Sequence, residues 1–221
     1  MGFRAAIRFL TILPVRGGDA PLGKAAVFFP LVGAILGAAG AGIYLLTARA
    51  FPVSIAALAT VVFWTAISGV PPIFTDSRIG AFGAIATLVS VLVRWQALEY
   101  LAAPHVVVTL IAAQAVPRAA MVVMAWCSRP AGSGLGLGYA LASTLNTPVA
   151  VAAMAQGAAA ALLCGWRPGL AMIAGSVLIV QASRAWFYRR IGGVNGDCLG
   201  FTEQLIEIFV LTMFACRSCA W

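Results

Sequence analysis

Charge is what this sequence lacks. Only 9% of its 221 residues are Asp, Glu, Lys or Arg, against 62% hydrophobic, and mean hydropathy is +1.01. A soluble domain carries about a quarter charged residues, so this composition leaves no surface to show to water. The alternation of short segments that marks a β-barrel is also missing, because the apolar runs are continuous and rich in Ala, Leu and Gly. With a single histidine, no His-based ligand cluster is available. Five cysteines, at 127, 164, 198, 216 and 219, show no disulfide-framework spacing. Cys216 and Cys219 form one terminal C-x-x-C without the second pair or thioredoxin-like context that would give it a metal or redox meaning. No basic run with interleaved aromatics occurs, so the net charge of +8 does not indicate nucleic acid. In a membrane protein such an excess belongs to loops on the cytoplasmic side.

What is present is a series of long apolar stretches, and the expected architecture is all-α: a polytopic membrane helical bundle of about seven transmembrane helices in one integral-membrane domain, 1–221. Residues 1–24 form an interfacial N-terminal segment, with Phe3, Ile7 and Leu10 at helical spacing and a helix end at Pro14. The spans are placed at 27–48, 53–70, 79–100, 106–126, 149–164, 169–188 and 205–215, since about 20 apolar residues cross the hydrocarbon. Gly33, Gly37 and Ala41 make a small-x-x-x-small row for close helix approach. Polar, glycine-rich loops are placed at 127–148 and 189–202.

With seven spans, one side collects Arg4, Arg8, Arg16, Lys24, Arg78, Arg129, Arg189 and Arg190, and the other Arg49, Arg167 and Arg217. The positive-inside rule then puts the N-terminus in the cytoplasm. Asp76, Arg78, Arg129 and Asp197 share that face. Carboxylates hold Mg²⁺ and guanidinium groups take phosphate oxygens in pairs, so the grouping suits a phosphate-handling site; the competing reading is of boundary arginines and capping aspartates. Asp197 precedes a helix and is also placed as an N-cap. Glu203 and Glu207 are four apart and share a helix face, where burial requires a cation or an arginine beside them. Arg118 falls in the middle of a span and needs a partner inside the bundle, either as a functional group or as half of a structural ion pair. Arg94 and Glu99 are five apart, poorly placed to pair with each other, which directs them to partners elsewhere. The alternating glycines of 132–138 offer either backbone N–H groups to a diphosphate or plain flexibility. His105 stands where it caps a span.

Several blocks, in order, carry a resemblance to a known family. They are Phe9-Leu10-Thr11-Ile12-Leu13-Pro14-Val15, then Phe29-Pro30-Leu31-Val32-Gly33 with Gly37, then Asp76-Ser77-Arg78-Ile79-Gly80 through Gly83. Ala115 to Arg118, Gly134-Leu135-Gly136 and the glycine-rich run from Gly192 to Gly200, followed by Glu207, complete the set. The chain resembles the cobalamin synthases, the adenosylcobinamide-GDP ribazoletransferases of the vitamin B12 pathway. The resemblance implies a phosphotransferase that joins adenosylcobinamide-GDP to α-ribazole or its 5′-phosphate with release of GMP, in the inner membrane of a bacterial or archaeal cell and with its site loops facing the cytoplasm. It implies Mg²⁺ held by Asp76 and Asp197, catalytic roles for Asp76, Asp197 and Glu207, and substrate phosphates on Arg78, Arg118, Arg129, Gly134 and Gly136.

The departures are specific. The family's acidic block, H-L-D-G-L-A-D-x-x-D-G, is absent between Gly69 and Asp76, together with the helical stretch after it. Asn195 replaces a threonine, and Gln204 stands where glutamate is frequent. The acidic block resembles the family's main Mg²⁺ ligand set, so its absence also motivates a catalytically degenerate member that binds a corrinoid or a partner protein without turnover. A transporter built from the same helices would show paired broken helices in related halves, which the sequence does not.

Overall fold

The helix over Val106–Trp126 is the axis on which the others pack. It is rich in alanine, and Ala112, Ala113, Ala115, Ala119 and Ala120 are all buried. Small side chains let neighbouring backbones come close where lipid supplies no hydrophobic drive between helices. The computed structural model describes residues 1–17, 20–68, 80–101, 105–131 and 136–216. Asp76, Arg78, Gly134 and half of the C-x-x-C pair lie outside the described residues.

In chain order the helices are α1 (Gly2–Leu10), α2 (Leu22–Ala25), α3 (Phe29–Ala48), α4 (Val53–Ile67), α5 (Gly80–Glu99), α6 (Val106–Trp126), α7 (Leu137–Thr144), α8 (Thr147–Leu162), α9 (Trp166–Ile191) and α10 (Gly196–Ala215), with one 3-10 turn at Ala26–Phe28. Four helical stretches are long and apolar enough to cross a membrane: Leu22–Ala48, Val106–Trp126, Trp166–Ile191 and Gly196–Ala215. A fifth is a broken pair, Gly138–Thr144 with Thr147–Leu162, bent by 110°. Helix α4 has 15 residues, about 22 Å at 1.5 Å per residue, short of the ~30 Å of a hydrocarbon core. The chain is an all-α, polytopic integral-membrane bundle.

Its outward faces carry Leu31, Ile35, Leu46, Val177 and Leu178, all exposed, an apolar exterior that suits lipid and would aggregate in water. The small-residue row of α3 does what its spacing predicts. A Cβ on Gly33 would strike the Gln114 carbonyl and the Arg118 side chain, and one on Gly37 would strike the Leu110 carbonyl, so α3 lies directly on α6. Trp64 of α4 closes the other side of α3, its Nε1 donating to the Leu36 carbonyl at 3.0 Å.

Three boundaries differ from the sequence expectation. Helix α1 ends at Leu10, not at Pro14, with Thr11 extended and its hydroxyl donating to the Ile7 carbonyl at 2.8 Å. The loop expected at 127–148 contains α7, which is held from outside: a Cβ on Gly23 of α2 would overlap the Thr144 backbone, and Thr144 Oγ1 accepts from Gly23 N at 2.9 Å. The loop expected at 189–202 is only four residues long. Helix α9 runs on to Ile191 and stops at left-handed Gly192, as C-terminal glycines do. Asn195 then caps α10, its Oδ1 accepting from Cys198 N at 3.0 Å.

Candidate phosphate-handling site

Two helix beginnings meet at one cavity. The start of α7, at Gly136–Gly138, and the start of α10, at Asn195–Asp197, line a space of about 520 Å³ with Arg118, Tyr139 and Glu203. Gly136 sits at φ +113°, a backbone region essentially reserved for glycine. A Cβ on Gly138 would overlap the backbone of Gly196, so only glycine lets the two helix starts touch. Each contributes unpaired N–H groups and the positive end of its dipole, the usual environment of a bound phosphate. Asp197, in the first turn of α10, is exposed at the rim. The cap belongs to Asn195, so the Asp197 carboxylate is not consumed in closing the helix.

Arg118 forms the floor. It is 2% exposed, and its Nη1 lies 3.2 Å from Glu203 Oε1. The same nitrogen donates to the Gln114 carbonyl and to Gln114 Oε1, each at 2.7 Å. Its Nε is buried with no hydrogen-bond partner among the described residues, as is Gln114 Nε2. A guanidinium has five N–H donors, and a buried donor without an acceptor is costly. Arg118 thus brings a buried positive charge to a cavity edged by two helix N-termini, surroundings that favour an anion over a cation.

Glu207, one turn further along α10, does not line this cavity. It pairs with Arg94 of α5, Oε1 to Nη1 at 3.1 Å, with the two side chains 2% and 4% exposed. Arg94 Nε also donates to the Ser90 carbonyl at 3.2 Å. Both glutamates of the shared α10 face are therefore neutralised by arginines, each from a different helix, and Arg94 finds its partner across the bundle, away from Glu99. A second cavity, also about 520 Å³, lies on the Glu207 side between α4, α5 and α10.

Arg129 acts through its backbone. Its N–H donates to the Tyr188 hydroxyl at 2.6 Å and its carbonyl accepts from Val194 N at 3.0 Å. A parallel bridge between Pro130 and Val194 continues the link. The side chain is exposed and does not line the cavity, so Arg129 secures the approach to α10. Gly136 lines the cavity; Gly134, Asp76 and Arg78 lie outside the described residues. Gln114 and Tyr139 were not among the residues singled out, and Glu203 was singled out only as a buried carboxylate that needs a cation or an arginine. A signal for Glu203 existed, because Asp197, Gly200 and Glu203 repeat every three residues and all reach the cavity. His105 stands at the N-cap of α6 without a side-chain cap bond. Cys164 donates to the Val108 carbonyl at 3.5 Å.

Among the described residues no group of three His, Cys, Asp or Glu side chains converges on a metal position. The mode Mg²⁺ commonly takes, one or two carboxylates together with substrate phosphates and water, needs no such group. Asp197, unpaired among the described residues and beside the helix N-termini, fits that mode.

Known proteins agree with one another on what this chain is similar to. A family model described as cobalamin-5-phosphate synthase matches residues 2–71 and 72–215. The two stretches meet where the acidic block is missing. A protein of Ralstonia nicotianae named adenosylcobinamide-GDP ribazoletransferase is 34% identical over 247 residues, covering 93% of this chain and 91% of its own. That alignment is longer than the 221-residue chain, so the relative carries residues with no counterpart here. Proteins of the same name from Ralstonia pickettii (32% identical, 93% and 91% covered) and Pseudomonas syringae pv. syringae (32%, 96% and 98%) match similarly. No solved structure matches. On the family match across nearly its whole length, the chain belongs to the cobalamin-5-phosphate synthase family.

Proposed function

We propose that the chain joins adenosylcobinamide-GDP to α-ribazole or its 5′-phosphate and releases GMP, and that it does so at the cavity between the starts of α7 and α10. The observation that carries the reading is the meeting of two helix N-termini and the Arg118 side chain at one cavity. Phosphoryl transfer asks a protein mainly for positioning and charge neutralisation. A ribazole oxygen forms a new bond to the phosphorus attached to the cobinamide arm, the bond between the two phosphorus atoms' bridging oxygen and that phosphorus breaks, and GMP leaves with the bridging oxygen.

In this reading the N–H groups at the starts of α7 and α10 and the Arg118 guanidinium hold the diphosphate oxygens. Glu203, already hydrogen-bonded to Gln204 Nε2 at 3.0 Å, accepts the proton of the attacking hydroxyl as the incoming anion takes over Arg118. Mg²⁺ belongs to the proposal with Asp197 and Asp76 as its protein ligands, and when bound it would neutralise phosphate charge. Glu207 is placed outside the chemistry, anchoring α5 through Arg94. The protein lies in the inner membrane with the cavity mouth towards the cytoplasm, supported by the excess of basic residues on that side.

Purified protein in liposomes, given adenosylcobinamide-GDP, α-ribazole and Mg²⁺, is expected to release GMP. Absence of GMP above a protein-free control would sink the transferase reading. Asp197→Ala is expected to abolish release, and an unchanged rate would remove Asp197 from the chemistry.

A further inference from the structure

Arg118 is held in α6 by a residue with no place in the chemistry described so far. Pro117 precedes it inside the helix, and a proline has no N–H, so the turn that carries Arg118 is short of one rung of its ladder. Gln114 stands one turn earlier on the same face and is 1% exposed. Both of its oxygens take the arginine, Nη1 donating to the main-chain carbonyl and to Oε1, each at 2.7 Å. From the other side, a Cβ on Gly33 would strike both the Gln114 carbonyl and the Arg118 side chain, so α3 closes over the pair.

Packing alone does not account for an amide here. An arginine offers only donors, so the amide oxygen has to face it and Nε2 has to point away, where it is buried with no partner among the described residues. A buried N–H without an acceptor is costly, and a methionine of similar length would avoid that cost. A glutamate would meet the guanidinium with a full charge, but Nη1 already faces one carboxylate, Glu203 Oε1 at 3.2 Å. A second carboxylate would turn a neutral pair into an anionic triad beside the cavity that Arg118 and Glu203 line. Glutamine supplies the hold without the charge.

We infer that Gln114 is a positioning residue of the phosphate site, fixing the Arg118 guanidinium at the cavity and leaving its charge to an anion. That the anion is a substrate diphosphate rests on the transferase reading; the hold of Gln114 on Arg118 does not. An anion entering the cavity competes with Glu203 for the guanidinium. An arginine side chain has several rotatable bonds, and without a second anchor it would follow whichever partner moved. The two bonds to Gln114 keep Nη1 in place during that exchange, because neither oxygen belongs to a group that changes partner. Gln114 touches no substrate and acts through Arg118.

The test is equilibrium binding of inorganic pyrophosphate to the purified full chain in nanodiscs, with GMP release measured on the same samples, well below each chain's melting temperature. Gln114→Glu keeps the shape and adds a charge; Gln114→Met keeps the length and removes the acceptor. The unaltered chain is expected to bind pyrophosphate saturably. Gln114→Glu is expected to bind it at least ~10-fold more weakly, since a charged partner of Arg118 competes with the anion. Gln114→Met is expected to bind it nearly as well but to lose at least ~10-fold in kcat, since a loose guanidinium still attracts the anion and no longer holds it in the reacting geometry. No saturable binding to the unaltered chain, equal binding to Gln114→Glu, or an unchanged kcat in Gln114→Met would overturn the inference. Should Gln114→Glu not fold, as judged by its thermal melt, Gln114→Met decides through kcat. Pyrophosphate binding that Gln114→Glu weakens, in a chain that releases no GMP, would remove the transferase reading and leave the role of Gln114; GMP release and binding both insensitive to Gln114→Glu would do the reverse.

Discussion

The two buried ion pairs on α10 have nearly the same geometry and opposite surroundings. Arg118–Glu203 closes at 3.2 Å and Arg94–Glu207 at 3.1 Å, all four side chains buried or nearly so. Arg94–Glu207 ties α5 to α10, and Arg94 spends its Nε on the Ser90 carbonyl. Arg118–Glu203 ties α6 to α10, but Arg118 keeps Nε unpartnered beside two helix N-termini. Similar distances therefore describe one contact whose arginine Nε is paired and one whose Nε has no partner among the described residues. The lesson is that in a low-dielectric bundle the count of unsatisfied donors, more than the length of the salt bridge, distinguishes two buried pairs.

The comparison breaks most visibly at Arg118. Arg118→Leu leaves Glu203 buried without a cation, expected to cost about 3–5 kcal/mol, and removes a phosphate donor worth on the order of 10²–10³ in turnover; thermal melts and GMP release read the two effects. Glu207→Leu carries the same stability penalty, about 3–5 kcal/mol, and the double variant Arg94→Met with Glu207→Leu is expected to recover most of it while retaining measurable GMP release. The matching double variant at Arg118 and Glu203 should recover stability and release no GMP. If both double variants behave alike, the distinction between the pairs fails.

Smaller changes sharpen it. Glu203→Gln keeps the shape but loses the proton acceptor and the counter-charge of Arg118, with an expected fall in kcat of about 10²–10⁴ and a lower melting temperature. An unchanged kcat would assign the proton to another group. Asn195→Ala removes the α10 cap, expected to cost about 1 kcal/mol and to show as a lower melting temperature.

Much of the bundle was legible because lipid imposes a single rule, long apolar helices, that hydropathy reads directly. The Gly33–Gly37 row was legible for the same reason, since close helix approach permits few residues. The elements that were not legible depend on other parts of the chain. Helix α7 is short and begins among glycines, and it exists because α2 and α10 hold it at Gly23 and Gly196. The early start of α10 was hidden by Asp197, Glu203 and Gln204, which lower local hydropathy yet face cavities or partners. Arg129 illustrates the limit of grouping residues by membrane face: it lies near the α10 start, but its backbone makes the connection. Which arginine answers which glutamate is set by the packing of α5 and α6 and by nothing in the local spacing.

The contact between Gly138 and Gly196 also has a meaning in time. A chain is made from its N-terminus, and α7 emerges well before α10 exists. Until α10 is in the membrane, the start of α7 lacks the backbone of Gly196 against which Gly138 packs. Truncation before Gly196 would strand α7 in that condition. The polar cavity is therefore among the last parts of the protein to be assembled, and its completion coincides with completion of the bundle.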